Sequence, residues 1–242
     1  MLSDTEARNA LIVALDCDRA RALELTDLLA NHARWVKVGM TLFYRYGPGI
    51  VQEMKDRGFN VFLDLKVHDI PFQVHGAVRS ASLSGADIIS IHALGGSHMI
   101  ASGRSGAAEA AEIRGVGEKG RTKLVAISIL TSMNEEDLSS IGVRDTVASE
   151  VERLAKLSYN AGADGLVCSA QEASSMREIL GPEALIITPG IRPRGAEKDD
   201  QQRTATPASA IAAGASKLVI GRPITEAKDP CMAFEEIVNE LI

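Results

Sequence analysis

Three charged residues interrupt an apolar run of the chain at a spacing that suggests acid–base chemistry. The segment FLDLKVHDIP, residues 62–71, carries Asp64, Lys66 and Asp69 in a D-x-K-x-x-D pattern. Side chains alternate along a strand, which would put Asp64 and Lys66 on the same face. A lysine held beside a carboxylate should stay protonated, ready to serve as a fixed cation or a proton donor. The pattern therefore favours a reaction that generates a carbanion or another anion.

The same charges have a second interpretation, in which Asp64 and Lys66 form a purely structural ion pair at a strand end. Taking several charges out of water is costly unless they serve a purpose, and a further lysine, Lys37, lies in the preceding apolar run. Opposite charges about 4 Å apart attract by roughly 4 kcal/mol at an effective dielectric constant near 20, which makes an alternating array tolerable. We therefore favour the catalytic interpretation.

Eight short apolar runs, rich in valine, isoleucine and leucine, alternate with helical patterns along the chain. They span residues 10–16, 34–39, 60–66, 87–93, 123–130, 164–169, 185–190 and 217–221. Near-continuous apolar runs are typical of parallel strands that are buried on both faces. Eight strand–helix units without an intervening linker predict one α/β domain over residues 1–242. The predicted architecture is a (β/α)8 TIM barrel, with a doubly wound open sheet as the alternative.

Capping residues mark helices between these runs. Ser169 and Glu172 have the spacing of a capping box at the start of a helix. Thr206 and Pro207 are typical of the N-cap and first position of another helix, which should stop at Gly214.

One helix-to-strand joint recurs in the segments SGADIIS, AGADGLV and AGASKLV. Each segment runs from a helix-ending glycine directly into an apolar run. The spacing between the copies is irregular, so this internal similarity indicates a repeated αβ joint and not the period of a solenoid.

Polar residues that follow the apolar runs are the candidates for an active site, because barrels of this type form their sites at the C-terminal ends of the strands. Asp16 ends the first run and Lys37 lies near the end of the second. Thr131 follows the fifth run. These residues should meet the charges of the third run at one end of the barrel.

Two glycine-containing turns predict a phosphate site. Gly190 follows the seventh run and Gly221 the eighth, where barrels of this class often bind phosphate. Glycine lets backbone N–H groups approach phosphate oxygens, and Arg192 or Arg222 can add a bidentate contact. The polar stretch 192–203 is long enough to form a functional lid.

Composition argues against several other classes of protein. The chain has 242 residues, a formal net charge of −6 and a sequence pI of about 5.5, so no basic face for nucleic acid or anionic membranes is expected. The polar N-terminus does not resemble a signal peptide, and no apolar run approaches the roughly 20 residues of a membrane span. Three scattered cysteines suggest reduced thiols in a cytoplasmic protein. The histidines show no HxH or HxxxH grouping, so no metal site is expected.

Further segments extend these motifs: VALD, KVG, HALGG, LTSM, GLVCSAQE, TPGIRP and VIGRPIT. With FLDLKVHDIP they resemble the orotidine 5′-phosphate decarboxylase family almost from end to end. The D-x-K-x-x-D core also occurs in sister enzymes that act on sugar phosphates, whereas the full set of motifs is specific to the decarboxylases. The resemblance implies cofactor-free, metal-free decarboxylation of orotidine 5′-phosphate to UMP and CO2 in pyrimidine synthesis by a barrel homodimer. Leu94, where a small residue is usual, is the visible departure.

The resemblance also implies roles for the charged residues. Lys66 would deliver a proton to C6 of the pyrimidine, and Asp64 would lie against the departing carboxylate. Lys37 would support the charge array and contact the ribose. Asp16 would bind the ribose hydroxyls.

Other residues would contact the substrate or the neighbouring subunit. Asp69, counted with the catalytic residues, would reach with Ile70 into the neighbouring subunit's site. The remaining substrate contacts that the family implies are Thr131 near the base, Pro189, and the phosphate-binding residues Arg192, Gln201, Gly221 and Arg222.

Two other functions remain as alternatives. A sugar-phosphate decarboxylase such as the 3-keto-gulonate 6-phosphate enzyme shares the D-x-K-x-x-D segment, but it uses Mg²⁺ with an acidic residue on the second strand. This chain has Lys37 there, which disfavours a cation site. A non-catalytic nucleotide-binding barrel would be signalled by loss of Lys66 or Asp64, and both are present.

Overall fold

The computed structural model describes residues 1–193 and 204–242. Its strands are β1 (Leu11–Ala14), β2 (Trp35–Gly39), β3 (Asn60–Val67), β4 (Ile88–His92), β5 (Lys123–Ile127), β6 (Gly165–Val167), β7 (Leu185–Thr188) and β8 (Lys217–Ile220). Its α-helices are α1 (Asp4–Ala10), α2 (Arg19–Leu29), α3 (Met40–Tyr46), α4 (Gly49–Asp56), α5 (Pro71–Leu83), α6 (Gly96–Arg114), α7 (Glu135–Ser140), α8 (Val147–Asn160), α9 (Ala173–Leu180), α10 (Pro207–Ala212), α11 (Arg222–Thr225) and α12 (Pro230–Leu241).

The strands form one closed barrel in chain order. Every neighbouring pair is parallel, and β8 pairs with β1 to close the sheet. The predicted TIM barrel is therefore confirmed, and the open-sheet alternative is wrong. The register aligns Ala14 with Lys37 and Gly39 with Asp64, so the ends of the first three strands lie side by side.

The core lies on both sides of the sheet. Alternate strand residues such as Ile12, Phe62 and Val125 form one buried cluster inside the barrel. Their neighbours, for example Leu11 and Val13, belong to a larger cluster that packs against the surrounding helices. Each buried side chain of this size stabilises the fold by about 1.5–3 kcal/mol. Burial on both faces explains why the strand sequences are almost continuously apolar.

The same type of hydrogen bond occurs in all three copies of the helix-to-strand joint. In each copy a side-chain oxygen near the start of a strand accepts the backbone N–H of a residue at the start of the preceding strand. The pairs are Asp87 with Val61 at 2.7 Å, Asp164 with Leu124 at 2.8 Å, and Ser216 with Ile186 at 3.1 Å. Each of these side chains also accepts a hydrogen bond from a cationic side chain. The donors are Lys55 to Asp87, Arg121 to Asp164 and Arg177 to Ser216. The joint thus fixes the relative register of neighbouring strands, and with it the residues that emerge at the opposite end of the barrel.

The two predicted helix starts have different outcomes. Thr206 caps α10 as predicted, because its hydroxyl accepts the backbone N–H of Ser209 at 3.2 Å. The backbone N–H of Ser169 donates to the Glu172 carboxylate at 2.9 Å, so the predicted contact forms. However, α9 begins only at Ala173 with Glu172 as its N-cap. The intervening residues form a turn in which the Ser169 carbonyl accepts the Glu172 N–H.

No helix within the described residues is long and apolar enough to cross a membrane. Of the predicted lid, 192–203, only Arg192 and Pro193 belong to the described part of the chain. The predicted phosphate contact Gln201 lies outside it.

Candidate active site

The third strand is irregular where it carries the reactive pair. Its pairing with β4 is regular up to Leu63 and Ile89, and it resumes at Val67 and Ile91 after a shift in register. Lys66 lies within this bulge with a φ of 53°. A residue other than glycine pays about 1–3 kcal/mol for such left-handed backbone, which is usually found at functional sites. Side-chain alternation predicted the contact between the two charges, but not the bulge that carries it.

Four charged side chains form a continuous array of alternating sign at the C-terminal ends of β1, β2 and β3. Lys66 Nζ lies 2.8 Å from Asp64 Oδ2, and Lys37 Nζ lies 3.9 Å from the same oxygen. Lys37 Nζ also donates to Asp16 Oδ1 at 2.7 Å. A side chain at Gly39 would disturb this array, since a Cβ there would lie 2.9 Å from Asp16 Oδ1.

The environment of Asp64 keeps it ionised. Its side chain is only 12 % exposed. Burial alone would raise the pKa of Asp64, but the charges of Lys37 and Lys66, with hydrogen bonds from Lys66 and Ser90, hold it below its ordinary value. A buried carboxylate between two ammonium groups is a fixed negative charge, and Asp64 lines a cavity at this end of the barrel.

Ser90 is a site residue that the sequence analysis missed. It is fully buried on β4, where its hydroxyl donates to Asp64 Oδ1 and accepts the backbone N–H of Lys66, each at 2.8 Å. The available signal was a single serine inside the apolar run DIISIHA, two residues before His92 and therefore on the same face.

A cavity of about 600 Å³ opens at this end of the barrel, a size typical of small-molecule sites. The predicted site residues that line it are Asp16, Lys37, Asp64, Lys66, Thr131, Pro189, Arg192, Gly221 and Arg222. Apolar side chains, including Phe62, Ile127, Val167 and Val219, form part of its wall. The cavity thus brings the charge array and the predicted phosphate-binding turns together in one space.

Two predicted residues lie apart from this cavity. Asp69 is exposed, and its Oδ1 accepts the backbone N–H of Ile70 at 2.6 Å. The Ile70 side chain is also exposed, as is Phe72 in the first turn of α5. The described chain therefore does not bring Asp69 and Ile70 into its own cavity.

The histidines beside the array form a stacked pair. The rings of His68 and His92 lie 5.3 Å apart between centroids. Burial lowers the pKa of His92, and the nearby His68 and Lys66 lower it further. Among residues 1–193 and 204–242, no group of three His, Cys, Asp or Glu residues is arranged to hold a metal ion.

The arrangement can stabilise and protonate an anion. Lys66 is a donor held by a carboxylate at the wall of a partly apolar cavity, where a developing negative charge would be poorly solvated by water. Arg192 and Arg222 line the same cavity as Gly190 and Gly221, where guanidinium groups can bind a second anionic group.

Comparison with known proteins gives a consistent result. The sequence model of the "Orotidine 5'-phosphate decarboxylase / HUMPS family" matches residues 9–237. A protein from Vibrio cholerae serotype O1 named orotidine 5′-phosphate decarboxylase is 47% identical over 233 residues, which cover 96% of this chain and 98% of that protein. A protein of the same name from Chromohalobacter salexigens is 46% identical over 232 residues, covering 96% of this chain and 95% of that protein.

Two solved structures are similar to this chain over almost its whole length. The crystal structure of orotidine 5′-phosphate decarboxylase from Lactobacillus acidophilus matches with a TM-score of 0.82 at 37% identity, covering 96% of this chain and 98% of that one. An uncharacterized conserved protein from Geobacillus kaustophilus also matches with a TM-score of 0.82, at 33% identity, covering 96% of this chain and 100% of that one.

Proposed function

The chain belongs to the orotidine 5′-phosphate decarboxylase / HUMPS family, and on that premise we propose that it converts orotidine 5′-phosphate to UMP and CO2 in pyrimidine synthesis. The observation that carries the proposal is the array of Asp16, Lys37, Asp64 and Lys66, which ends in an ammonium group at the wall of the cavity. Such a group stabilises the negative charge that a decarboxylation leaves on carbon.

In the proposed reaction, the bond between C6 and the carboxylate carbon breaks and its electron pair stays on C6. The Lys66 ammonium is held near this carbon and transfers a proton to it, and the resulting amine later recovers a proton from water. Its position is set before the reaction by Asp64 and by the backbone bulge, so little reorganisation is needed as charge develops. The fixed ammonium group is the reason we propose that the reaction needs neither metal nor cofactor.

The other charges of the array have distinct proposed roles. Asp64 lies against the substrate carboxylate, and their repulsion is relieved as CO2 leaves. Lys37 keeps Asp64 ionised and contacts the ribose, whose hydroxyls bind Asp16. Thr131 contacts the substrate near its base. All of these residues line the same cavity, which supports their assignment to one ligand.

The phosphate is proposed to bind at the opposite side of the cavity. Gly221 contributes its backbone, Arg222 and Arg192 contribute positive charge, and Pro189 shapes the turn before Gly190. Gln201 is proposed to complete this site from the stretch 192–203, which would close as a lid. Binding energy from the phosphate, far from the bond that breaks, can then hold the reacting groups in place.

The quaternary arrangement is also part of the proposal. We infer a homodimer in which Asp69 and Ile70 enter the partner's site, and exposed Ile70 and Phe72 beside Asp69 support an interface there. Within each subunit, residues 1–242 are proposed to form a single domain. An enzyme that supplies pyrimidine nucleotides would act in the cytoplasm.

A direct assay tests the proposed reaction. The purified protein is incubated with orotidine 5′-phosphate and excess EDTA, and the ultraviolet absorbance of the pyrimidine is followed as its carboxylate is lost. We expect conversion to UMP. A folded protein that binds UMP without converting the substrate would contradict the proposal and favour a non-catalytic barrel. Activity that appears only on addition of Mg²⁺ and a keto-sugar phosphate would instead favour the sugar-phosphate decarboxylases.

A further inference from the structure

Arg21 connects the loop after β1 with the segment after β8. It lies in the first turn of α2, where its backbone N–H donates to the capping residue Asp18 at 2.9 Å. Its guanidinium Nη2 crosses to the carbonyl oxygen of Thr225 at 2.9 Å. Nη1 pairs with Glu24 Oε2 at 2.8 Å. Both ends of the residue are therefore anchored, and the planar guanidinium group fixes the direction of each contact.

The contact with Thr225 acts on the segment that carries the proposed phosphate-binding residues. Thr225 is the last residue of α11, a single turn that begins at Arg222. The backbone N–H of Thr225 donates to the carbonyl of Gly221 at 3.0 Å, so a displacement of Thr225 would be passed directly to Gly221. Carbonyl groups in the last turn of a helix lack partners within the helix, and the Arg21 guanidinium supplies one here.

The position of Arg21 in the cavity separates it from an ordinary surface arginine. Arg21 and Thr225 both line the cavity that holds Asp16 and Arg222. Cys17, near the end of β1, lines the same cavity, where burial raises the pKa of its thiol and the Arg21 charge opposes that effect. Arg21 thus lies between the residue proposed to bind the ribose and the turn proposed to bind the phosphate.

We propose that Arg21 is a positioning residue for recognition of the 5′-phosphate. It sets the distance between Asp16 on the β1 side and the Gly221–Arg222 turn on the β8 side, so that one nucleotide can engage both. This inference rests on the proposed function, because it assumes that a nucleotide with a 5′-phosphate occupies the cavity. It adds a residue outside the D-x-K-x-x-D core and the glycine-containing turns.

The chain offers a matched control two residues away. Arg19 is also on α2 and also pairs with a glutamate, Glu53, at 2.8 Å. It does not line the cavity of the charge array. The variants to compare are Arg21→Gln, Arg21→Lys and Arg19→Gln, and the measurements are the dissociation constants of UMP and uridine, from calorimetry with competition titrations for the weaker ligand.

The expected result is a change in the ratio of the dissociation constants of UMP and uridine, which measures the preference for the phosphate. Arg21→Gln should weaken UMP binding by about tenfold, because the Gly221–Arg222 turn is no longer held in place and must be ordered when the phosphate binds, and should change uridine binding by less than about twofold. Arg21→Lys should lie between this variant and the wild type, because an ammonium group can still donate to Thr225. Arg19→Gln should match the wild type for both ligands.

Two outcomes would overturn the inference. If Arg21→Gln weakened UMP and uridine equally, or weakened neither, Arg21 would serve only as a structural crosslink, even if the melting temperature fell. If Arg21→Gln failed to fold, the ratio of the two affinities in Arg21→Lys would decide in the same way. Turnover of orotidine 5′-phosphate by the wild type reports separately on the proposed function, whereas failure of the wild type to bind UMP would overturn the inference about Arg21.

Discussion

Ser90 links the two charged residues of β3 through a single hydroxyl group, which donates to Asp64 Oδ1 and accepts the backbone N–H of Lys66, each at 2.8 Å. The contact with Asp64 orients the carboxylate, and the contact with Lys66 satisfies an N–H group within the left-handed bulge. The strained backbone and the buried charge therefore depend on the same side chain. Ser90 belongs to the neighbouring strand, so the reactive pair is held by the pairing of β3 with β4 and not by β3 alone.

Removing this hydroxyl should affect both stability and turnover. Ser90→Ala leaves a carboxylate oxygen and a backbone N–H without a buried partner, which should destabilise the fold by about 1–3 kcal/mol. We expect kcat to fall by about tenfold, equivalent to about 1.4 kcal/mol of transition-state stabilisation. Denaturant unfolding and steady-state kinetics measure the two effects.

Ser82 provides the control for that variant. It is also fully buried, and its hydroxyl has no hydrogen-bond partner within the described part of the chain. Ser82→Ala should leave turnover unchanged and stability equal or slightly higher. If Ser90→Ala had the same kcat and unfolding free energy as Ser82→Ala, the hydrogen bonds of Ser90 to the reactive pair would contribute nothing to turnover or stability.

Loss of the Lys66 ammonium should separate chemistry from binding. Lys66→Ala should reduce kcat by at least about 100- to 1,000-fold, the scale of removing one group that stabilises developing charge. UMP binding should persist, because the proposed ribose and phosphate contacts remain. Rapid-quench kinetics and calorimetry measure the two quantities.

Lys55→Ala is the matched variant for Lys66. Lys55 Nζ pairs with Asp87 at 2.7 Å near the N-terminal end of the barrel, so this variant also breaks a lysine–carboxylate pair. It should keep wild-type turnover. Substantial turnover by Lys66→Ala would show that another group delivers the proton.

Mixing two inactive variants should restore activity if sites are shared between subunits. Lys66→Ala and Asp69→Ala impair different subunits' contributions to each site, so a mixed dimer contains one site with both residues intact. Random exchange of subunits should recover about a quarter of the wild-type activity per site. Analytical ultracentrifugation should show dimers in the same samples. Dimers that exchange subunits without any recovery would place both residues in the same subunit's site.

Acid should weaken the contact between the C-terminal helix α12 and α1. Hydrogen bonds from Arg8, at 2.7 and 2.8 Å, lower the pKa of Glu235 on α12 from an ordinary value of 4.5 to about 2, against the effect of partial burial. A depressed pKa in the folded state means that stability from this group is present above about pH 4.5 and is lost as the pH falls toward 2.

Glu235→Gln should therefore flatten the dependence of unfolding free energy on pH between about 4.5 and 2. Glu236→Gln alters the adjacent exposed glutamate and serves as the comparison. Urea unfolding at several pH values measures the slopes. Equal slopes for Glu235→Gln and the wild type would contradict a stabilising role for the Arg8–Glu235 pair.

Much of the architecture could be predicted from the sequence because it depends on local patterns. Apolar runs of strand length, the glycine that ends a helix and the N-cap Thr206 act over a few residues, so they can be recognised without knowing the fold. The charged segment around Asp64 and Lys66 was informative for a related reason, since charges in a buried strand are costly wherever that strand is placed. The predicted start of α9 at Ser169 was wrong because a competing turn uses the same local hydrogen bonds.

The tertiary structure decided which residues meet. The bulge at Lys66, the role of Ser90 and the link from Arg21 to Thr225 depend on hydrogen bonds between segments that are 24 to 204 residues apart in the chain. Such contacts follow from barrel closure and strand register, which no local pattern specifies. The sequence by itself placed charged residues near the ends of three apolar runs and glycine-containing turns after two others. Only closure of the barrel brought them to one cavity, because parallel strands in a closed sheet all deliver their C-terminal ends to the same side.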